Sequence, residues 1–219
     1  PFSGLSEDQW RDMVIYGGNV FVTGTAKLGY KRIITAKYTT AGERAWYGDY
    51  GYDQDSGGEG CDVDNSGNVY VTGSTHGGAG NTCPVVLKYS PSGAFLWAYI
   101  YYDPSNRYCG PHDIKVHRAS GTSYITGQVW NTSLNSDALT IAVNADGTNY
   151  IWKDEYGGPN IDEGKELAIT SACVYISGYY DYVANVKSDI LTMCYSRETY
   201  TRRWVLTYDY GATSMDLSY

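Results

Sequence analysis

The fold of this chain is decided by a stretch that recurs along it. The stretch is most complete at residues 64–73, which read Asp64-Asn65-Ser66-Gly67-Asn68-Val69-Tyr70-Val71-Thr72-Gly73. Its last four residues have counterparts in Phe21-Val22-Thr23-Gly24, Tyr124-Ile125-Thr126-Gly127 and Tyr175-Ile176-Ser177-Gly178. The copies lie roughly fifty residues apart, which indicates repeated structural units of one kind.

A second marker accompanies each copy: a tryptophan is followed four residues later by a tyrosine. The pairs are Trp46/Tyr50, Trp97/Tyr101, Trp152/Tyr156 and Trp204/Tyr208. Side chains four residues apart on a strand lie on the same face of the sheet. We expect these aromatic pairs to pack between neighbouring repeats rather than to bind a ligand.

Each repeat contains four short segments with the pattern of β-strands. In the second repeat they are residues 62–64, 68–73, 85–89 and 95–101, separated by turns such as Asn65-Ser66-Gly67 and Pro91-Ser92-Gly93. One such meander cannot bury both of its faces alone, so the repeats must pack against one another. The sequence therefore predicts an all-β chain, a β-propeller of four repeats in which each blade is a four-stranded antiparallel meander.

The 219 residues are accounted for by one domain, residues 1–219. Its predicted parts are an N-terminal segment (1–8), four blades (9–57, 58–108, 109–161 and 162–210) and a surplus C-terminal strand (211–219).

The pattern resembles the SBBP repeat, a β-propeller repeat of bacterial and archaeal proteins. The second copy carries the resemblance best, through residues 64–73 and the turn Lys88-Tyr89-Ser90-Pro91-Ser92-Gly93. The resemblance implies an extracellular or cell-surface propeller, in a family mostly without assigned activity. Because the family implies seven blades and four are found here, a closed four-bladed ring and a partial arc of a larger, seven-bladed propeller both stay open.

The two ends of the chain carry more strand than four blades require. A fifth candidate first strand follows the fourth repeat at Ser214-Met215-Asp216-Leu217-Ser218-Tyr219. It is consistent with a longer propeller that has been cut here, or with a tail that closes the ring on its own first blade. It is also consistent with a strand that, like the segment Pro1 to Asp8, pairs with a neighbouring molecule and so builds a filament.

Charge and hydropathy exclude two classes of partner. The chain has 16 basic and 24 acidic residues, a formal charge of −8, so a nucleic acid backbone would be repelled. No apolar run reaches the roughly eighteen residues of a membrane-spanning helix. We expect neither nucleic acid binding nor membrane insertion.

A search for catalytic chemistry finds no nucleophile elbow, no dinucleotide-binding glycine motif and no phosphate-binding loop. The three histidines, His76, His112 and His117, are expected to be surface or interblade residues. The sequence therefore predicts no enzyme and assigns no catalytic, cofactor-binding or metal-ligating residue. An enzyme with paired carboxylates on the propeller rim is an alternative that the sequence leaves open.

Carboxylates cluster in the predicted blade connections and suggest an acidic rim. They are Asp49, Asp53, Asp55, Glu59, Asp103, Asp154, Glu155, Asp162, Glu163 and Asp209. No cofactor is predicted, although a rim of this kind leaves calcium open as a ligand. The segment Asp62 to Gly67 superficially resembles a calcium loop, but its pattern is not repeated and no downstream bidentate glutamate fits.

The five cysteines have no zinc-ligand spacing and indicate disulfides in an oxidising compartment. A hairpin centred near Val183-Ala184 would place Cys173 opposite Cys194, which makes this pair the candidate disulfide. Asn131 begins the sequence Asn131-Thr132-Ser133 and is the candidate glycosylation site.

The sequence favours a secreted structural or interaction protein that self-associates as a building block of a surface layer, an adhesin or a fibre. The alternative is a carbohydrate-binding propeller, in which tyrosines of the blade connections bind glycans. The candidate ligand rim consists of Tyr52, Tyr102, Tyr108, Tyr179, Tyr180 and Tyr182, which lie outside the repeated core positions.

Overall fold

The fold was obtained as a computed structural model that describes residues 8–51, 55–77, 80–132, 135–183 and 187–208. These residues form sixteen β-strands and contain no helix, which confirms the all-β prediction. A helix long and apolar enough to cross a membrane is therefore not found in them. The strands are β1 (Gln9–Tyr16), β2 (Asn19–Leu28), β3 (Tyr30–Thr39), β4 (Arg44–Tyr50), β5 (Gly57–Val63), β6 (Val69–His76), β7 (Thr82–Tyr89), β8 (Phe95–Ile100), β9 (Cys109–Val116), β10 (Ser123–Thr132), β11 (Asn135–Val143), β12 (Tyr150–Tyr156), β13 (Ile161–Ile169), β14 (Cys173–Val183), β15 (Lys187–Ser196) and β16 (Arg202–Tyr208).

The strands pair in order as four antiparallel meanders, which we number in chain order. Meander 1 contains β1–β4, meander 2 contains β5–β8, meander 3 contains β9–β12 and meander 4 contains β13–β16. A parallel contact between Ser136 and Ile161 joins meanders 3 and 4 into one eight-stranded sheet. Each meander therefore has a first strand, which is β1, β5, β9 or β13.

The core of the molecule lies between consecutive meanders. Tyr70 packs in a cluster with residues of meander 3, whereas the adjacent Val71 packs in a cluster with residues of meander 1. Because neighbouring side chains of a strand point to opposite faces, both faces of the second strand are covered. This explains why the repeated stretch is apolar at successive positions rather than at alternate ones.

The Trp/Tyr pairs pack between meanders in three of the four repeats, as the sequence predicts. Trp46 lies 6.0 Å from the ring of Tyr89 in the next meander, and Trp152 lies 4.8 Å from the ring of Tyr195. Trp97 packs against the cluster shared by meanders 2 and 3. Trp204, in meander 4, is instead 39% exposed.

The threonine of the repeated stretch has a structural role in each of the first three copies. Its hydroxyl donates a hydrogen bond of 3.1 Å to a carbonyl oxygen of the third strand: Thr23 to Ile34, Thr72 to Val85, and Thr126 to Leu139. These hydroxyls are buried, so the bond removes the cost of an unsatisfied polar group.

Aspartate carboxylates, of which Asp62 and Asp113 are buried, connect each meander to the next. The Oδ2 atom accepts a hydrogen bond from a backbone N–H of the following first strand: Asp12 from Cys61 at 2.8 Å, Asp62 from Val116 at 2.8 Å, and Asp113 from Leu167 at 2.7 Å. A hydrogen bond to an ionised acceptor is stronger than one between neutral groups. The carboxylates thus fix the spacing of the first strands.

Candidate functional site

A β-bulge occurs near the beginning of every first strand and places one unpaired residue there. The registers skip Arg11, Glu59, His112 and Lys165. Bulges re-aim side chains and disrupt the local ladder. The four bulged residues line one cavity of about 300 Å³, together with Asp12, Asp113, Lys115 and Glu166. We call this cavity the mouth.

The glycine of the repeated stretch is required by the bulge opposite it. A Cβ atom at Gly24 would lie 2.0 Å from the carbonyl oxygen of Gln9, and one at Gly127 would lie 2.0 Å from that of Gly110. No side chain tolerates such contacts with backbone atoms. The Thr-Gly dipeptide is therefore a sequence signal for the bulge opposite it. The bulge in turn places a residue in the mouth, and the repeat pattern alone does not reveal which residue that is.

Glu163, beside the mouth, is held by side chains of meanders 3 and 4. Glu163 pairs with Lys165 and with His112, whose Nε2 atom lies 3.4 Å from Oε2. Burial opposes ionisation of Glu163, but the hydrogen bond from His112 and the Lys165 ammonium outweigh it and lower its pKa. Burial raises the pKa of Glu59, and the Arg11 guanidinium 4.0 Å away offsets this only in part. Glu59 in the mouth and Glu163 beside it thus have pKa values shifted in opposite directions.

A groove with aromatic and amide side chains lies beside the mouth. It has a volume of about 520 Å³ and is lined by Asn81, Asn106, Tyr108, Gln128, Trp130 and Thr132. The backbone N–H of Trp130 donates to the carbonyl of Tyr108 at 2.9 Å, which ties the two aromatic residues together. Tyr108 is 43% exposed and Trp130 is half-buried.

Gln128 connects the groove to Glu163, which lies beside the mouth. In the amide orientation that satisfies both neighbours, its Nε2 donates to Glu163 at 2.6 Å and its Oε1 accepts from the indole N–H of Trp130 at 3.2 Å. On the other side, the Asn81 amide donates to the carbonyl of Asn106. The polar side chains of the groove are therefore held in place by their neighbours.

The candidate ligand-rim tyrosines are distributed over several environments. Tyr108 lines the groove, and Tyr102 is 58% exposed beside Gly77. The ring of Tyr179 lies 5.4 Å from the Lys165 ammonium, and Tyr180 packs on Tyr156 with ring centroids 5.9 Å apart. Tyr52 and the side chain of Tyr182 lie outside the described residues.

Trp130 is a residue of the groove that the sequence analysis missed. The repeat places Lys27, His76 and Asp181 at the equivalent position, three residues after the glycine of each stretch. The available signal was that Trp130 is one of two tryptophans outside the repeated fourth strands. An aromatic residue that the repeat does not require is a candidate for binding.

Four carboxylates of the predicted acidic rim are paired with arginines in the structure. Asp49 pairs with Arg32 and Asp154 pairs with Arg202. Arg107 bonds both Asp103 and Glu155, each at 2.8 Å. In the part of the chain that the structure describes, no three His, Cys, Asp or Glu side chains are placed to hold a metal ion. Asp53 and Asp209 lie outside that part.

The loop with a superficial likeness to a calcium site is instead a hydrogen-bonded turn. Asp64 Oδ1 accepts from the backbone N–H of Ser66 at 2.9 Å and of Asn68 at 3.0 Å, and Oδ2 accepts from the Asn68 amide at 2.8 Å. The carboxylate therefore satisfies the turn that joins β5 to β6.

The candidate disulfide needs a correction of register. Cys173 lies opposite Ser196, and Cys194 lies opposite Tyr175, so the two cysteines are diagonal rather than directly opposite. The reason is that Val183 still pairs with Lys187, so it belongs to β14 rather than to the turn, and the pairing of the two strands is centred one residue later in the chain than predicted. Both are free thiols in the structure, as are Cys61, Cys83 and Cys109.

The candidate glycosylation site lies within the described residues, whereas the candidate assembly strand does not. Asn131 is exposed at the end of β10, where its amide donates to Asn135 at 2.7 Å and to Asp137 at 2.9 Å. The assembly strand Ser214 to Tyr219 lies outside the described residues.

Meanders 1 and 4 each expose apolar residues at positions that are buried in the other meanders. On β1, Met13 is 65% and Ile15 is 69% exposed. Their counterparts by register are buried against the preceding meander: Cys61, Ile114 and Leu167 for Met13, and Val63 and Val116 for Ile15. We call Met13 and Ile15 the first open face.

The opposite face of meander 4 is exposed in the same way. Trp204 is 39%, Leu206 is 64% and Tyr208 is 57% exposed on β16. Their counterparts Trp152 and Tyr156 pack against the following meander. We call these three residues of β16 the last open face.

A second cavity, of about 700 Å³, is shared by the first strands of all four meanders. Met13 of β1, Cys61 of β5, Val116 of β9 and Leu167 of β13 all line it. The four first strands therefore surround a common space.

Comparison with known proteins gives a likeness of fold only. No protein-family model and no curated protein matches the chain. A mutant of the Synechocystis apocarotenoid oxygenase matches with a TM-score of 0.50 at 8% identity, over 90% of this chain and 48% of that one. This chain thus spans about half the length of the oxygenase.

Two further solved structures match with lower scores. A protein of unknown function from Bacteroides caccae matches with a TM-score of 0.39 at 12% identity, over 96% of this chain and 86% of that one. A GH43_1 enzyme from Xanthomonas citri matches with a TM-score of 0.47 at 11% identity, over 92% of this chain and 75% of that one.

Proposed function

We propose that the chain is a non-enzymatic, extracellular β-propeller whose four meanders are blades, and that it is a building block of a cell-surface or fibre assembly. The arrangement of four first strands around a common space supports the propeller. The resemblance to the SBBP repeat supports the extracellular location.

The exposed first open face is the observation that carries the proposal of assembly. Met13 is 65% exposed, whereas the residues at its position in the other meanders, Cys61, Ile114 and Leu167, are at most 4% exposed. In meanders 2 to 4 the preceding meander covers this position. We therefore infer that a neighbouring β-structure covers the same position, Met13, in meander 1. Covering Met13 and Ile15 would remove apolar surface from water, at about 25 cal/mol per Å².

The segment 211–219 is the proposed donor of that β-structure. Its residues Met215, Leu217 and Tyr219 alternate with polar residues, as expected of a strand with one apolar face. The sequence Met215-Asp216-Leu217 also matches Cys61-Asp62-Val63 of β5. Donation of this strand to the next copy is a head-to-tail contact, which extends into a filament rather than closing.

Electron microscopy and sedimentation of the full chain test this proposal. We expect filaments or concentration-dependent oligomers for the unmodified chain, and folded monomers after deletion of residues 211–219 or after Met13→Asp. The matched control is Leu96→Asp. Leu96 is an apolar residue that is 47% exposed on β8, away from both open faces, so its substitution leaves assembly unchanged.

A chain that stays monomeric at every concentration overturns the proposal of assembly. The same conclusion follows if the deletion and Met13→Asp leave the oligomers as they are. Circular dichroism of each variant distinguishes lost assembly from lost folding. Isolated closed rings would instead favour the alternative function, a carbohydrate-binding propeller.

A further inference from the structure

We propose that the groove beside the mouth binds a neutral carbohydrate, with a sugar ring on Tyr108 and Trp130 and its hydroxyls bonded by the surrounding amides. The proposal concerns a surface separate from both open faces and does not depend on assembly.

The size of the groove fits a small ligand. Its volume of about 520 Å³ falls within the range of roughly 300–1,000 Å³ that is usual for ligand sites. It opens at the surface, where Tyr108 is 43% exposed. A chain of sugar units could therefore continue beyond the groove into solvent.

The chemistry of the lining selects the class of ligand. The six lining residues are two aromatic residues, three amides and a threonine, with no charged side chain among them. An anionic or cationic ligand would gain no opposite charge here, and a purely apolar ligand would leave amides unsatisfied. A pyranose ring presents apolar C–H faces and a rim of hydroxyls, and so matches both halves of the lining.

The groove is organised before any ligand arrives. The bond between Trp130 N–H and the carbonyl of Tyr108 fixes the backbone of the aromatic pair. Glu163 and the Trp130 indole hold the amide of Gln128, and the carbonyl of Asn106 holds that of Asn81. Preorganised groups reduce the entropy lost on binding.

The repeat does not account for these residues, which argues against a purely structural role. The residues equivalent to Trp130 are Lys27, His76 and Asp181, so the packing of a meander does not require an aromatic residue here. Tyr108 lies in the connection between β8 and β9, where side chains are free to serve binding.

Titration of the full chain with neutral and charged oligosaccharides tests the inference. The probes are xylotriose, cellotriose, maltotriose, chitotriose and lactose as neutral sugars, with sialyllactose and a heparin tetrasaccharide as charged ones. We expect saturable binding of at least one neutral sugar, accompanied by a change in tryptophan fluorescence. Tyr108→Ala and Trp130→Ala should each weaken that binding by roughly tenfold or more.

Two further variants keep the test decisive. Gln128→Ala removes an amide while leaving both aromatic rings, and it should also weaken binding. It therefore tests the groove even if Trp130→Ala does not fold. Tyr30→Ala is the matched control, because Tyr30 is a tyrosine of meander 1 that is even more exposed (53%) than Tyr108 (43%). It should bind as the unmodified chain does.

Three results overturn the inference. They are no binding of any neutral sugar, binding of charged sugars only, and binding that survives Tyr108→Ala and Gln128→Ala. Capture of a protein partner through Tyr108, without sugar binding, would assign the groove to a protein interface instead.

Discussion

Asp113 illustrates how a single carboxylate joins two meanders. It is 4% exposed and accepts hydrogen bonds of 2.7 Å from the backbone N–H groups of Ile114 and Leu167. Burial raises its pKa, and the Lys115 ammonium 2.8 Å away partly offsets the rise. Two hydrogen bonds from backbone N–H groups and two from Lys115 thus stabilise the buried carboxylate, but they offset the cost of its burial only in part.

Asp113→Asn should lower the free energy of unfolding by about 2–3 kcal/mol, because an amide presents N–H to donors that need an acceptor. Urea unfolding followed by tryptophan fluorescence measures this change. Glu198→Gln, at an exposed turn of meander 4, is the control and should have an effect of less than about 0.5 kcal/mol. Equal effects of the two variants would contradict the role assigned to Asp113.

The connection between β8 and β9 shows how one element is tied to another. Arg107 in this connection bonds Asp103 of the same connection and Glu155 of β12, each at 2.8 Å. Burial opposes ionisation of both carboxyls, but Arg107, together with Lys153 in the case of Glu155, outweighs it and lowers the pKa of each. The ion pairs link the connection to meander 3.

Arg107→Met should make stability less dependent on pH in acid. A carboxyl with a lowered folded pKa contributes stability that is present above its unfolded pKa and is lost as pH falls through the folded one. We therefore expect a shallower loss of unfolding free energy between about pH 4.5 and pH 2.5, measured by urea unfolding at each pH.

The control for this prediction is Arg203→Met. It removes an exposed guanidinium whose Nη1 atom lies 3.4 Å from the Sγ atom of Cys173, and it should leave the pH slope as it is. An unchanged slope in Arg107→Met would mean that Asp103 and Glu155 take no part in acid unfolding.

The local sequence pattern predicts where the strands and turns lie, but it does not predict how neighbouring strands pair in register. The predicted turns at Asn65-Ser66-Gly67 and Pro91-Ser92-Gly93 fall between the observed strands. The centre of the β14–β15 hairpin differs from the prediction because Val183 pairs with Lys187 and so belongs to the strand rather than to the turn. A bulge adds a residue to one strand only, so its position depends on the partner strand.

At the scale of the whole molecule, the first and last open faces lie at opposite ends of a series of four meanders. Three interfaces within the chain bury the equivalent positions, in clusters between meanders 1 and 2, 2 and 3, and 3 and 4. Faces at the two ends of a series are different surfaces, so contacts between copies are heterologous.

A mixing experiment tests that polarity. A Met13→Asp chain keeps its donor segment but has a damaged acceptor, and a chain without residues 211–219 keeps the acceptor alone. Mixed in equal amounts, the two monomers should form dimers that cannot grow, detected by analytical ultracentrifugation. A mixture that stays monomeric, while the unmodified chain assembles, would contradict head-to-tail strand donation.

The sequence by itself determined the class of secondary structure and the packing of the first three Trp/Tyr pairs between neighbouring meanders. These depend on side-chain alternation and turn residues within a few positions of one another. Tertiary structure alone decided which residues form the mouth and the groove. Arg11, Glu59, His112 and Lys165 share no residue type and are separated by whole meanders. They meet for two reasons. Each first strand has a bulge opposite the Thr-Gly or Ser-Gly pair of its second strand, and aspartate carboxylates bond each first strand to the next. Both contacts join segments that are distant in the sequence.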